Sequence, residues 1–103
     1  MQECWLLKRA LNRDFAEADL TRADLSDTDL SFATFRGANL RGAILSHVNF
    51  CWADLRGAFL CDADLTDAVF TEAELDDADF RGAVGLTDVI IAYVKKRGAI
   101  VSD

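Results

Sequence analysis

The sequence predicts an all-β solenoid in which short extended segments alternate with corners. Three observations support this fold class: an unbroken five-residue period of large apolar residues, a small residue at a constant offset from each, and polar or glycine residues between them. The 103 residues suffice for one small domain. They include no proline and are 51% hydrophobic, which is not typical of a disordered chain.

The repeat is five residues long and occurs fourteen times between residues 13 and 82. Every fifth residue from position 15 to position 80 is leucine or phenylalanine. Alanine stands two positions before each of them from Leu20 onwards, except at Thr28 and Val48, and Ala83 continues this series before Gly85. A five-residue step would spread these residues around an α-helix and alternate them between the faces of a long strand. A short extended segment followed by a corner instead turns both the small and the large residue inward.

The two remaining positions of each repeat are predicted to turn the chain. Four corners contain Arg-Gly pairs, at 36–37, 41–42, 56–57 and 81–82, and glycine there supplies the positive φ that a type II turn requires. Most other corner residues are polar. Repeated turning in one direction builds a solenoid whose layers pair by backbone hydrogen bonds, with a filled, dry interior.

The chain resembles the pentapeptide-repeat proteins, whose consensus is Ala-(Asp/Asn)-Leu-X-X. The segments that carry the resemblance are Ala-Asp-Leu at 18–20, 23–25, 53–55 and 63–65, Ala-Asn-Leu at 38–40 and Ala-Asp-Phe at 78–80. The resemblance implies a right-handed quadrilateral β-helix with twenty residues per coil, and hence about three and a half coils. The spacing alone does not choose four sides over three.

Both ends of such a solenoid need caps, because they expose core residues and unpaired strand edges. We expect one domain, 1–103, with a helical N-terminal cap at 1–12, repeats at 13–82 and a helical C-terminal cap at 83–103. Thr87 is predicted to cap a helix that runs to about Arg97. The repeats stop where Gly85 replaces the large apolar residue.

Two apolar surfaces are candidate protein-interaction sites. Phe32 and Trp52 occupy equivalent corner positions twenty residues apart, and exposed aromatic residues are common binding anchors. The C-terminal segment has an apolar face that includes Val89 and is broader than one coil end needs; it predicts a homodimer through this end. Simple corner packing for the first surface and a cap without a dimer for the second remain alternatives. The candidate interaction residues are Phe32, Trp52, Ile90, Tyr93 and Val94.

Catalytic, metal and cofactor sites are not expected. The sequence has one histidine, no Cys-x-x-Cys motif and no phosphate-binding glycine loop. The column Asp27, His47, Asp67 is better explained by a solvated ion-pair ladder than by a metal site. Cys51 and Cys61, half a coil apart, cannot join to each other, and all three cysteines are expected to be free thiols in a reducing cytoplasm.

The net charge of −7 disfavours nucleic acid and anionic membranes as direct partners. No apolar run approaches the ~20 residues of a membrane span, and the N-terminus is not typical of a signal peptide. We therefore expect a non-enzymatic scaffold or interaction module of unknown partner. The alternative is an acidic DNA mimic that binds a type II topoisomerase, as some proteins of the resembled family do.

Overall fold

The computed structural model describes residues 13–102, and these form a solenoid with a twenty-residue coil followed by one α-helix. The predicted N-terminal cap at 1–12 lies outside the described residues. Parallel bridges join residues twenty apart, from Asp14 with Thr34 to Asp64 with Val84. Each coil has four sides, each contributing one bridge, and the structure assigns no longer strand among these residues.

Each repeat is held by backbone hydrogen bonds to its neighbouring coils and by one bond across its own corner. The Leu40 amide donates to the Phe59 carbonyl at 2.7 Å, and the Phe59 amide donates back to the Ala38 carbonyl at 2.9 Å. The Ala43 amide closes the corner by donating to the Leu40 carbonyl at 3.1 Å. The inward alanine and leucine side chains are buried from Leu30 to Ala78, as the period predicts, whereas Leu20 and Leu25 of the first coil are partly buried.

Phenylalanine side chains stack inside the solenoid at the twenty-residue spacing. The ring centroids of Phe15 and Phe35 lie 5.0 Å apart, and those of Phe50 and Phe70 lie 5.4 Å apart. Phe35 meets Phe50 edge to face at 5.7 Å. Both arrangements are favourable for aromatic pairs and add to the free energy gained by burying the rings.

The second corner residue of every repeat has positive φ, whether or not it is glycine. Gly57 adopts φ 69°, and Trp52, the equivalent residue of the preceding corner, adopts φ 63°. Residues other than glycine have a higher conformational energy at positive φ, because their Cβ crowds the backbone. The corner geometry is therefore imposed by the paired coils and not by glycine alone.

The helix α1 spans Asp88–Lys96, as the sequence predicts. The Thr87 side chain accepts a hydrogen bond from the Ile90 amide at 3.3 Å. Lys95 and Lys96 occupy the last turn, where cations interact favourably with the negative end of the helix dipole. The chain then returns to the solenoid, and Ile100 pairs with Asp79 at an offset of twenty-one residues. Helix α1 thus stands where two sides of the next coil would lie.

Candidate functional site

The four sides of the solenoid carry different surface chemistry, and each is named here by its residues. Side 1 comprises residues 13–17, 33–37, 53–57 and 73–77; side 2 comprises 18–22, 38–42, 58–62 and 78–82. Side 3 comprises 23–27, 43–47, 63–67 and 83–84, and side 4 comprises 28–32, 48–52 and 68–72.

Side 4 presents an aromatic pair at its corner. The rings of Phe32 and Trp52 are nearly parallel, 5° apart in plane, with centroids 6.3 Å apart. Trp52 is 53% exposed, whereas Phe32 is half-buried. The outward part of this pair is therefore Trp52, and Phe32 supports it from the coil before.

The C-terminal helix lies on this same side. Glu72 occupies the corner position one coil after Trp52, and its amide donates to the Tyr93 hydroxyl at 3.0 Å. The two surfaces that the sequence presented as separate candidates are thus neighbours. Only the register of the coils and the placement of α1 bring them together.

The helix turns its apolar residues in different directions from those expected. Val94 is completely buried against the last coil, so its prediction as a protein-interaction residue is wrong. Ile90 and Tyr93 are partly buried and pack on the core. Val89 is 77% exposed. It belongs to the apolar face that the sequence predicts, but it is not one of the predicted contact residues. Helical spacing placed these residues on one broad face, but the angle of α1 on the coil divides them.

A groove of about 360 Å³ runs between α1 and the strand of side 4. Residues 68–72 form one wall, and Val89, Ile90 and Tyr93 form the other. Across this groove, among residues 13–102, the Phe70 amide and the Ala68 carbonyl form no hydrogen bond. One coil earlier, the equivalent Phe50 amide donates to the Val69 carbonyl at 2.8 Å. The backbone beside the groove is therefore unpaired among these residues, although Ala68 and Phe70 are themselves buried, 7% and 2% exposed.

Three other edge groups are satisfied by side chains of the C-terminal segment, one of them by the Ser102 hydroxyl, which accepts from the Gly82 amide at 3.1 Å. Besides the bond from the Glu72 amide to Tyr93, the Arg97 Nε donates to the Ala73 carbonyl at 2.8 Å. The Arg97 guanidinium also lies over the Tyr93 ring, 5.6 Å from its centroid. These contacts hold α1 against sides 4 and 1 and leave the groove open beside it.

Charge is divided unequally around the solenoid. Between residues 13 and 82, sides 3 and 4 carry six carboxylates and no lysine or arginine, whereas all six arginines lie on sides 1 and 2. Hydrogen bonds from Ser26 and Thr66 lower the pKa values of Asp24 and Asp64 on side 3. Sides 3 and 4 therefore carry a net negative charge between residues 13 and 82, although residues 43–52 in their middle coil contain no carboxylate.

On sides 1 and 2, Asp54 and Asp79 are each held by an arginine two residues further along the chain. Arg56 forms a two-pronged contact with Asp54, with Nε–Oδ1 and Nη2–Oδ2 distances of 2.9 and 2.8 Å. Arg81 donates to Asp79 in the same way, with Nε–Oδ1 and Nη2–Oδ2 distances of 2.9 and 2.7 Å. The arginine hydrogen bonds hold the pKa values of both aspartates below the usual range.

The histidine column is only partly assembled. The His47 Nδ1 lies 3.8 Å from an Asp67 carboxylate oxygen, while Asp27 enters no ion pair among the described residues. In the part of the chain that the structure describes, no group of histidine, cysteine and carboxylate side chains is arranged to hold a metal ion.

The cysteines differ from the expectation of three free thiols. Cys51 takes part in a disulfide, and its partner is not among residues 13–102, whereas Cys61 is free. Burial raises the pKa of the Cys61 thiol. The prediction that Cys51 cannot pair with Cys61 agrees with this arrangement, but the prediction of a free thiol at Cys51 is wrong.

No helix in residues 13–102 has the length and apolar character needed to cross a membrane.

The sequence matches the family model for pentapeptide repeats, with eight copies over residues 12–42 and 43–82. No curated protein sequence matches the chain.

Several solved structures are similar to it. A pentapeptide repeat protein from the thylakoid lumen of Arabidopsis thaliana is 29% identical, with a TM-score of 0.73, over 86% of this chain and 75% of its own. HetL, a pentapeptide repeat protein involved in heterocyst differentiation regulation in the cyanobacterium Nostoc sp. strain PCC 7120, is 31% identical with a TM-score of 0.69. The match covers 81% of this chain but only 35% of HetL. Another pentapeptide repeat protein from Nostoc is 30% identical over 99% of this chain and 95% of its own, with a TM-score of 0.40.

Proposed function

Because this chain belongs to the pentapeptide-repeat family and is a right-handed quadrilateral β-helix, we propose that it is a non-enzymatic, rigid scaffold that binds other proteins. The proposal includes about three and a half coils in a single domain, with caps at 1–12 and 83–103. It places the binding surface on side 4, from the corner at Trp52 to helix α1.

The observation that carries this proposal is the bond between the Glu72 amide and the Tyr93 hydroxyl. It seats α1 directly after the Trp52 corner, so one surface contains both Trp52 and Val89, which are 53% and 77% exposed. Neighbouring exposed apolar residues on a small protein usually mark an interface. The negative charge of sides 3 and 4 adds a preference for partners with a basic surface.

Site-specific photo-crosslinking in cells that make the protein tests this binding surface. A photoreactive phenylalanine analogue is placed at position 52 or 89 on side 4, or at position 59 on side 2 as the matched control. Phe59 is similarly apolar and 36% exposed, and the Arg41 guanidinium covers its ring at 4.3 Å. We expect cross-linked protein adducts from positions 52 and 89 and not from 59. Equal adducts from all three positions, or none, would overturn the proposal.

The partner of first choice is a second copy of this chain, bound through the C-terminal end. A two-fold dimer would bury the same apolar patch on both chains. Light scattering at tens of micromolar should find a dimer for the wild type, a monomer for Val89→Glu and a dimer for Phe59→Glu. Tyr93 is unsuitable for this test because its hydroxyl holds α1 in place. A monomeric wild type would reject the dimer.

An acidic surface that binds a type II topoisomerase is the second candidate function. The observation in its favour is the absence of lysine and arginine from sides 3 and 4 between residues 13 and 82. Three and a half coils span only ~17 Å, about five base pairs, at the ~4.8 Å spacing of adjacent strands. We therefore expect no inhibition of DNA supercoiling by a purified gyrase, and inhibition at micromolar protein would favour this candidate instead.

A cytoplasmic location is also part of the proposal, and the disulfide at Cys51 is the observation that challenges it. Disulfides rarely persist in a reducing cytoplasm. Alkylation of thiols during lysis of cells that make the protein, followed by mass spectrometry, should label both Cys51 and Cys61 if the location is correct. Protection of Cys51 until a reductant is added would overturn it.

A further inference from the structure

The disulfide at Cys51 connects side 4 to a part of the chain outside residues 13–102. The sequence has three cysteines, Cys4, Cys51 and Cys61. Cys51 takes part in a disulfide, whereas Cys61 is a free thiol. Within one chain, Cys4 is therefore the remaining partner for Cys51.

The corner that contains Cys51 is more deeply buried than equivalent corners. Ser31 and Cys51 hold the first corner position of side 4 and are 0% and 2% exposed. Thr71 holds the same position one coil later and is exposed. Ser26 on side 3 forms the same bond as Ser31, from its hydroxyl to the aspartate two residues earlier at 2.7 Å, and yet remains partly exposed. The burial of Ser31 and Cys51 therefore indicates additional cover at this corner.

The chain that precedes Arg13 enters the solenoid at the same corner. Arg13 opens side 1 of the first coil, and in the next two coils the residue directly before side 1 is Phe32 or Trp52. The Arg13 Nη1 donates to the Asp29 carbonyl of side 4, and the Arg13 side chain is only 9% exposed. The entry point is thus fixed against side 4, on the column that contains Cys51.

The chain before Arg13 is long enough to reach Cys51. Along the solenoid axis Cys51 stands fewer than two coil spacings from Arg13, about 9 Å. Nine residue steps separate Cys4 from Arg13. An extended chain of that length spans up to about 30 Å. Cys61, by contrast, lies at the corner between sides 2 and 3, half a coil from the entry column.

We propose that residues 1–12 dock on side 4 with Cys4 bonded to Cys51, and that reduction of this bond uncovers the corner beside Trp52. The inference rests on the proposed interaction function in one respect, since the docked segment would regulate access to that binding surface. A dithiol reductant supplies the two electrons and two protons of the step, and becomes a disulfide while Cys4 and Cys51 become thiols. Oxidised glutathione reverses the step and is itself reduced to two molecules of glutathione.

Peptide mapping of the purified protein tests the pairing. The protein is oxidised with oxidised glutathione, alkylated and digested with trypsin without reductant. We expect residues 1–8 to be linked to residues 42–56, and residues 57–81, which contain Cys61, to be alkylated. In concentrated urea the Cys51–Cys61 link should dominate instead, because the shorter loop closes more readily in an unfolded chain. A Cys4–Cys61 link, a link between two copies, no link, or the same products with and without urea overturns the proposal.

Solvent exposure at Ser31 tests whether reduction uncovers the corner. In the oxidised protein, a soluble gadolinium complex should broaden the side-chain proton resonances of Thr71 more than those of Ser31, because only Thr71 is exposed. After reduction with dithiothreitol, or in Cys4→Ser, the broadening at Ser31 should rise to the level at Thr71, which should not change. Ser31 is the reporter because reduction does not alter its own covalent structure. Equal broadening at both residues in the oxidised protein, or no change at Ser31 on reduction, overturns the proposal.

Cys61→Ser is the matched control for both experiments. It leaves Cys4 and Cys51 in place, so it should give the same linked peptides and the same response at Ser31. Loss of either result would show that Cys61 takes part in the bond and would overturn the assignment.

Both experiments use the isolated protein, so they fail independently of the proposed cellular function. If Cys4 pairs with Cys51 and reduction uncovers Ser31, but positions 52 and 89 give no cross-links in cells, the redox-dependent docking stands and the interaction function fails. If those cross-links form but Cys4 does not pair with Cys51, the binding surface stands and the docking fails.

Discussion

The coils and the C-terminal end of this molecule solve the same hydrogen-bonding problem in different ways. Within the coils, backbone pairs with backbone, as between Leu40 and Phe59 at 2.7 Å. At the end, side chains substitute for the missing coil. The Tyr93 hydroxyl accepts a hydrogen bond from the Glu72 amide, and the Arg97 Nε donates one to the Ala73 carbonyl. Each of these two side chains satisfies one backbone group, whereas a paired strand satisfies a whole side. This difference explains why the end retains an unpaired edge and the coils do not.

The largest expected effect comes from a charge in the coil interior. Leu45 is fully buried, and Leu45→Asp should abolish folding because an unpaired carboxylate in an apolar interior costs several kcal/mol, a large part of the ~5–15 kcal/mol of a typical domain. Val89→Asp, on exposed α1 surface, should change stability by less than about 0.5 kcal/mol. Urea unfolding followed by circular dichroism measures both. A cooperative, near-wild-type transition for Leu45→Asp would show that the inward assignment is wrong.

Glycine replacement should distinguish the junction from the corners. A Cβ at Gly85 would lie 2.6 Å from the Thr66 nitrogen and 2.7 Å from its Cα, whereas at Gly57 the nearest atom is 3.9 Å away. Both residues have positive φ. We expect Gly57→Ala to cost about 1 kcal/mol from backbone strain and Gly85→Ala about 3 kcal/mol, because backbone must also move. Similar unfolding midpoints for the two variants would mean that the junction is not closely packed.

Removing one substitute hydrogen bond at the end should have a smaller effect. Tyr93→Phe leaves the Glu72 amide without a partner and should cost about 1 kcal/mol of unfolding free energy. Hydrogen exchange should accelerate at the Glu72 amide and remain slow at the Phe50 amide, which is paired within the coils. Unchanged exchange at Glu72 would show that Tyr93 does not protect this edge.

The dependence of unfolding stability on pH below about 5 tests the contribution of the carboxylates that are paired with arginines. The Arg81 contacts hold the pKa of Asp79 below its unfolded value near 3.9, so below about pH 5 the unfolded chain binds more protons than the folded one. Stability should therefore fall as the pH falls through this range towards the folded pKa. Asp79→Asn should reduce the difference between unfolding midpoints at pH 7 and pH 3. Asp27→Asn, at a carboxylate without a described hydrogen bond or ion pair, is the matched control, and an equal reduction there would contradict this assignment.

The sequence alone determined the periodic part of the molecule. Packing that recurs every five residues requires the same residue types at the same position of each repeat. The buried side chains, the corners and the end of the repeats at Gly85 could therefore all be predicted. Helix α1 could be predicted as well, because its capping residue Thr87 and its C-terminal cations act within one turn. The choice of four sides came from the family resemblance, since a five-residue period is compatible with three.

Only the tertiary structure decided what happens where the repeat stops. The angle at which α1 meets the last coil buries Val94, exposes Val89 and places Tyr93 against Glu72. That angle depends on the helix and the coil edge together, and no local pattern encodes it. The shared side of Trp52 and α1 and the unpaired Phe70 amide follow from the same placement. A periodic sequence specifies the repeating coils, because the same contacts recur in each of them. The contacts that end the solenoid occur only once, and packing in three dimensions determines them.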